Sequence, residues 1–383
     1  MTAKGGQFSC SAIDRQPFAV NPFTMKTLQI SLLLAFILFI AACTNDPEPL
    51  GCNVEFDQEA MFTNIADNLI IYGYNDLKSN VDVLNTKTID FQSNPNQITL
   101  EDLRTAWFNA YIYWQRVSQY EFGPAAEVFL FNSVNNFPLD VDATNEKITN
   151  ENYDFTSPDA YDKGFPALDY LLYGIGNDDT EILAQFADTK YLTYLTKVVE
   201  DIKTRVDSTV TGWTTYRATF VTNTGTAAGS SLSQIVNGFN QNYEYIKREK
   251  LGIPSGVLTL GFTNPTKVEA YFSGRSTELA LTALEASQEL YLGKSGLGLD
   301  DYLQAIGTMK GDKTLDAVIQ EQFAAAISAV QDLGTSTPLS DIENDKAVTA
   351  YNEVTKQLVN IKTDMPSVLC VSITYIDNPS DSD

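Results

Sequence analysis

Apolar residues recur at intervals of three and four along most of the chain. This period places them on one face of an α-helix. The clearest stripe consists of Leu103, Trp107, Ala110, Trp114 and Val117. Similar stripes predict helices over residues 59–84, 189–221, 232–246, 267–292, 315–330 and 347–361. The pattern therefore predicts an all-α protein.

One internal segment interrupts the stripes. Residues 222–231 are all Thr, Asn, Gly, Ala or Ser, and such a run has too few apolar side chains to pack. A similar number of predicted helices lies on each side of it. We expect two four-helix-bundle-like units, residues 57–228 and 229–383, that pack together with a cleft between them.

The N-terminal region has the pattern of a lipoprotein signal peptide. Met25-Lys26-Thr27 precedes an apolar run over residues 28–40, and Ala41-Ala42-Cys43 follows. This run is shorter than the about 20 residues that a membrane-spanning helix needs, although a retained anchor helix is the alternative. We interpret residues 25–42 as the signal peptide and residues 1–24 as an over-long gene start.

Cleavage before Cys43 would leave that cysteine as the lipidated first residue. Residues 43–56, which include a polar, proline-containing stretch, would then be the tether between the lipid and the fold. We therefore expect a protein of the bacterial cell envelope. Its lipid would anchor it to a membrane on the periplasmic face or at the cell surface.

The two ends of the predicted fold differ from the helical pattern. Residues 52–56 and 371–375 alternate apolar and polar side chains, as short strands do. We expect these segments to pair. Cys52 and Cys370 would then be able to form a disulfide in an oxidising compartment, and two free buried thiols are the alternative.

Composition excludes several classes of protein. The chain has 49 acidic and 25 basic side chains, a net charge of −24, which argues against a nucleic-acid partner. It has no histidine. A Ser-His-Asp triad, a Cys-His pair and a zinc-binding HExxH helix all require imidazole, so chemistry here would depend on carboxylates, Lys, Tyr, Ser or a bound cofactor.

Four segments, in the same order along the chain, resemble the imelysin-like family. They cover residues 107–124, 163–174, 242–256 and 269–293. The resemblance implies two helical bundles with a cleft, in a lipoprotein of the periplasm or cell surface. The family was named for a peptidase and is also tied to bacterial iron uptake. Its signature, Gly-x-His-x-x-Glu, is thought to bind metal.

The signature is altered in this chain. The matching positions are Gly164, Pro166 and Asp169. Proline at the histidine position removes the imidazole and a backbone N–H, whereas Asp169 keeps a carboxylate on a shorter side chain. Proline is tolerated in a first helical turn, so residues 164–166 can still open a helix over residues 167–173. We expect a retained fold with an altered or lost metal centre.

Family position adds further candidates for the cleft. They are Glu121, Ser273, Arg275 and Glu244. Asp169 and Glu121 are the candidate metal ligands, and their hard oxygen atoms favour iron or another divalent or trivalent cation over zinc.

Each acidic candidate also has an interpretation without a site. Asp169 would be stabilised by the helix dipole if it lay near the start of its helix. Glu121 would pair with Arg116 on the polar side of its helix. The spacing of Glu244, Lys247 and Lys250 is that of a solvated ion-pair face.

Two functions follow from the sequence. The favoured one is a non-catalytic binding or accessory protein of iron uptake, whose cleft holds a metal ion or small ligand and which contacts other envelope uptake proteins. The alternative is a divergent metallopeptidase or metal-handling enzyme with carboxylate ligands. The absence of histidine disfavours peptidase activity because metal-activated water needs a richer ligand set than carboxylates alone usually supply to zinc.

Overall fold

The structure, a computed structural model, describes residues 54–334, 339 and 344–375. The predicted signal peptide, Cys43 and most of the predicted tether lie outside these residues. Within them, helices account for nearly all regular structure, which confirms the all-α prediction. No helix in this part of the chain is long and apolar enough to cross a membrane.

Helices before the predicted boundary have the following bounds. They are α1 (Gln58–Asn64), α2 (Tyr72–Ser93), α3 (Gln97–Val117), α4 (Pro124–Glu127), α5 (Leu130–Val134), α6 (Val141–Thr149), α7 (Gly164–Tyr173), α8 (Asp179–Gln185) and α9 (Thr189–Thr222). A π-helical segment, Ile65–Ile71, joins α1 to α2.

The remaining described elements follow the loop 223–230. The helices are α10 (Ser231–Tyr245), α11 (Ser276–Tyr291), α12 (Leu299–Ile306), α13 (Leu315–Gln331), α14 (Asn344–Leu358) and α15 (Met365–Leu369). Strands β1 (Met309–Lys310) and β2 (Lys313–Thr314) form an antiparallel pair in which Met309 lies opposite Thr314. Further π-helical segments span Ile246–Gly252 and Val359–Asp364, and a 3₁₀ turn spans Pro265–Lys267.

Helix α3 is central to the packing. Asn96 caps it through a capping box with Thr99, which satisfies backbone donors at its start. Its predicted apolar stripe is fully buried, and the helix packs against α2, α7 and α11. Helix α11 also packs against α13, and the buried apolar side chains form one cluster on both sides of loop 223–230. The division into two bundles stays a prediction.

The helix predicted from residue 267 begins only at Ser276. Residues 268–275 form turns instead, and Ala270 and Gly274 there have positive φ angles of 51° and 72°. Such angles are incompatible with a right-handed helix. These turns, called the 268–275 turn below, carry several candidate residues.

The predicted pair of terminal strands is wrong for the described residues. Residues 54–57 and 371–375 have no β-structure. The side chain of Asn237 on α10 satisfies the C-terminal segment instead: its Oδ1 accepts from the Thr374 N–H (2.7 Å) and its Nδ2 donates to the Ser372 carbonyl (3.1 Å). Cys370 is disulfide-bonded, whereas its predicted partner Cys52 lies outside the described residues.

Helix α7 begins as the sequence predicts. Gly164 has φ +74°, and a Cβ there would lie 2.2 Å from the Val134 carbonyl oxygen of α5. Only glycine permits both this angle and this approach. Pro166 lies in the first turn, where its missing N–H has no helical acceptor to lose. The start of α7 is thereby fixed against α5.

Candidate functional site

Asp169 connects α7 to the 268–275 turn. Its buried carboxylate accepts hydrogen bonds from the N–H groups of Phe272 (2.9 Å) and Ser273 (3.1 Å). The dipole interpretation is wrong, because Asp169 lies beyond the first turn of α7. Burial raises the pKa of Asp169 to about 7, although the bonds from Ser273 and Phe272 oppose this rise.

A small cavity adjoins this contact. Its volume is about 210 Å³, and Pro166, Asp169, Tyr271 and Phe272 are among its mostly apolar lining residues. Arg275 lies two residues beyond Ser273. Its guanidinium stacks over the Phe108 ring at 3.7 Å and pairs with Glu278 (2.9 Å). The structure therefore brings together Asp169 and Ser273, which are far apart in the sequence.

The residues at the signature positions do not fit a metal ion. Pro166 offers no side-chain donor, and both oxygens of Asp169 already accept backbone N–H groups. Throughout the described ranges, no group of three or more Cys, Asp and Glu side chains is arranged to hold a metal. The other candidate ligand, Glu121, lines a different cavity from Asp169.

That second cavity is larger, about 660 Å³, and we call it the main cavity. Residues from both sides of loop 223–230 line it: Ser118, Gln119, Glu121, Phe131, Asn132, Gly238, Gln241, Asn242, Glu244, Tyr245, Lys247, Arg248, Glu249, Ile253, Leu258, Thr259, Lys267 and Tyr351. It thus contains two of the residues predicted for a cleft, Glu121 and Glu244.

Glu121 is held by the start of α5 rather than by an arginine. Its carboxylate accepts from the Phe131 N–H (3.1 Å), whereas the Arg116 guanidinium lies 5.6 Å from the centre of the Tyr113 ring. Burial raises the pKa of Glu121 to about 7, against the opposing effect of backbone hydrogen bonds. The predicted pairing with Arg116 is wrong.

The predicted ion-pair face of Glu244, Lys247 and Lys250 is only partly present. Glu244 pairs with Lys247 (2.7 Å) and also with Lys362 (3.1 Å) at the edge of the main cavity. Lys250, in contrast, is 3% exposed and points into the protein. The face is therefore not solvated as a whole.

Lys250 forms a buried ion pair that the sequence did not reveal. Its Nζ lies 2.5 Å from Glu269 Oε2 and donates to Gln115 Oε1 (2.8 Å). The other oxygen of Glu269 accepts from Tyr111 (3.1 Å), Gln115 (3.0 Å) and Asn135 (2.9 Å). Burial lowers the pKa of Lys250, and the adjacent carboxylate opposes that shift. This buried network joins α3, the residue after α5, the segment Ile246–Gly252 and the 268–275 turn.

Two signals in the sequence bear on this network. Tyr111 and Gln115 are four residues apart and so share a face of α3, and Glu269 stands between the apolar residues Val268 and Ala270. Neither signal identifies a partner. The orientation of Lys250 also depends on the π-helical turn, whose wider winding an α-helical period does not describe.

Comparison with solved structures places this arrangement in a known class of all-α proteins. A Parabacteroides distasonis protein named as an iron-regulated protein A precursor superimposes with a TM-score of 0.69 at 18% identity, over 82% of this chain and 95% of that one. An imelysin-like protein from Psychrobacter arcticus superimposes with a TM-score of 0.67 at 16% identity, over 84% and 99%. The chain therefore has the imelysin-like fold.

A family model described as Imelysin matches residues 70–361. This match covers most of the chain, and the chain belongs to the imelysin family. No functionally curated protein matches it by sequence.

Breaking the buried ion pair should destabilise the protein strongly. We expect Glu269→Gln or Lys250→Met alone to lower the free energy of unfolding by about 3–5 kcal/mol, because each leaves an unpaired charge. The double variant should recover part of this loss. Urea unfolding measures all three. The exposed pair of Lys197 and Glu200 is the control, since its disruption should cost below about 1 kcal/mol. A double variant as unstable as the sum of the single variants would contradict this account.

Stability should depend on pH through Asp169 and Glu121. A carboxyl group whose pKa is raised by folding binds its proton more tightly in the folded state. The free energy of unfolding should therefore fall as pH rises from about 4 to about 7. Asp169→Asn and Glu121→Gln should each reduce this fall, as measured by urea unfolding at pH 5 and 7.5. The exposed Glu127→Gln variant is the control, and identical slopes in all four proteins would refute the assignment.

Proposed function

We propose that the chain is a cell-envelope lipoprotein that binds a ligand in the main cavity, as a non-catalytic accessory protein of iron uptake. The observation that carries this proposal is the separation of two features. The signature carboxylate, Asp169, is used to hold the 268–275 turn, whereas a large cavity with polar walls lies elsewhere.

The size of the main cavity supports a small ligand. Its volume of about 660 Å³ lies within the usual range for ligand sites, about 300–1,000 Å³. Its lining includes aromatic and aliphatic side chains, such as Tyr245, Ile253 and Tyr351, together with charged ones. Such walls bury the carbon skeleton of a ligand while polar groups set its orientation.

The link to iron rests on family membership and on the name of the Parabacteroides distasonis relative. The signature positions themselves give no support for a resident metal centre, since Pro166 supplies no donor and Asp169 is engaged by backbone N–H groups. We therefore propose that iron reaches the protein as cargo, already held by another molecule.

A divergent metal-handling enzyme or peptidase is the second candidate. The raised pKa values of Asp169 and Glu121 favour it, because carboxyl groups that titrate near neutral pH can serve as general acids or bases. These two groups line different cavities, however, so neither has the other as a partner at one site.

Iron binding tests the favoured function. We expect ferric citrate, ferric nitrilotriacetate or ferric desferrioxamine to bind in isothermal titration with one site per chain. Gln241→Trp, which places a large ring at the exposed rim of the main cavity, should abolish this binding, whereas Asp169→Ala should retain it. Circular dichroism checks that both variants are folded. Casein should remain uncleaved, and cleavage that Asp169→Ala removes would favour the enzyme instead.

Lipid anchoring needs its own test. We expect cells that express the full chain to incorporate radioactive palmitate into it, and Cys43→Ser to abolish the label because the acceptor thiol is lost. A Cys10→Ser variant should be labelled normally. Labelling that persists in Cys43→Ser would contradict the proposed anchor.

A further inference from the structure

The wall of the main cavity contains as many basic as acidic side chains, three of each. The basic ones are Lys247, Arg248 and Lys267, and Lys362 outside the wall donates to Glu244. The chain as a whole has about twice as many acidic as basic side chains, 49 against 25. The local balance around this cavity is therefore unusual for the protein.

The acidic residues of the wall are largely neutralised. Glu244 lies between Lys247 and Lys362, and Glu249 accepts from Arg248 at 3.0 Å. The third, Glu121, is half-buried and accepts a backbone N–H. Counting Lys362, four cations therefore face three carboxylates around the cavity.

Lys267 differs from the other cations of the cavity because no carboxylate among the described residues pairs with it. It is exposed at the mouth of the main cavity, and among the described residues its ammonium group has no ion-pair partner. The 3₁₀ turn Pro265–Lys267 fixes its backbone beside the 268–275 turn. An unpaired ammonium group at a cavity mouth attracts and retains anions.

The same wall contains buried polar atoms that lack partners. Asn242 is 4% exposed, and its Oδ1 accepts from Ser118 at 3.0 Å, yet its Nδ2 has no partner in the described part of the chain. A buried N–H donor without an acceptor is costly. This Nδ2 atom has almost no accessible surface, however, so an anion in the cavity could bond to it only after the Asn242 amide turned toward the cavity.

We propose that the main cavity binds a small organic anion with two or more carboxylate groups, which Lys267 and Arg248 contact through their charges. The inference rests on the proposed function for the location of the site, and it adds the chemical class of the ligand. If this anion also chelates ferric ion, the iron would reach the cavity as the ferric carboxylate complex. Phe131, Tyr245 and Tyr351 pack against the carbon skeleton.

Titration with metal-free carboxylates tests the inference. The probes are citrate, malate and glutarate. Inorganic phosphate and spermidine represent two other ligand classes, an inorganic anion and a polycation. We expect at least one carboxylate to bind with one site per chain and with an affinity that falls as salt is added. Lys267→Ala should weaken this binding about five- to tenfold, and Lys267→Arg should largely restore it. Lys197→Ala, which removes the same charge from the exposed face of α9, should leave it unchanged.

Several results would overturn the inference. They are no binding of any of the three carboxylates at millimolar concentration, tighter binding of phosphate or spermidine, and equal affinity in Lys267→Ala and the unaltered protein. Comparison of ferric citrate with citrate separates the two proposals. Equal binding of both supports the anion site and counts against the iron function. Binding of cationic ferric desferrioxamine, without any carboxylate binding, supports the iron function and refutes the anion site.

Discussion

Two opposite charges, on Lys250 and Glu269, lie where water does not reach, and the surrounding structure has to compensate for the loss of hydration. It does so with three further side chains, Tyr111, Gln115 and Asn135, which fill the remaining hydrogen-bonding capacity of the carboxylate. Tyr111 and Gln115 belong to α3 and Glu269 to the 268–275 turn, so the hydrogen bonds between them fix the helix relative to the turn. The N–H groups that hold Asp169 belong to that turn, so the contact at the signature helix depends on the buried network.

The two cavities show how a family fold is retained while its signature chemistry changes. Pro166 is compatible with the start of α7, and Gly164 still permits the close approach to α5. Asp169, one methylene shorter than the glutamate of the signature, bonds to backbone rather than presenting free oxygens. The packing of the helix is thus independent of a metal ligand at residue 166. Candidate binding chemistry lies instead around Lys267 and Arg248, in the main cavity.

Helices that bury one regular stripe, such as α3 and α9, were predictable because a 3.6-residue period and burial coincide. The contact of Asp169 with Phe272 and Ser273 was not, since a hydrogen bond to backbone leaves no trace in side-chain pattern. The resemblance to the family nevertheless indicated both Asp169 and Ser273 as candidate residues of one cleft. The prediction of terminal strands was wrong for a related reason. Alternation shows which side chains face inward, but it does not show what bonds to the backbone, and here the Asn237 side chain does so. Lys250 was misplaced because a helical period was extended through a π-helical turn.

That turn, Ile246–Gly252, also matters for comparison with relatives. A π-helical turn accommodates about one more residue than an α-helical turn of the same rise, and it is equivalent to a one-residue insertion. In a relative whose helix is regular here, residues that occupy the same positions in space would be offset by one in the sequence after this segment. A gap-free alignment would then pair Lys250 with a residue on a different side of the helix. Positions beyond Gly252 should therefore be matched by superposition of structures before any residue is said to be retained or lost.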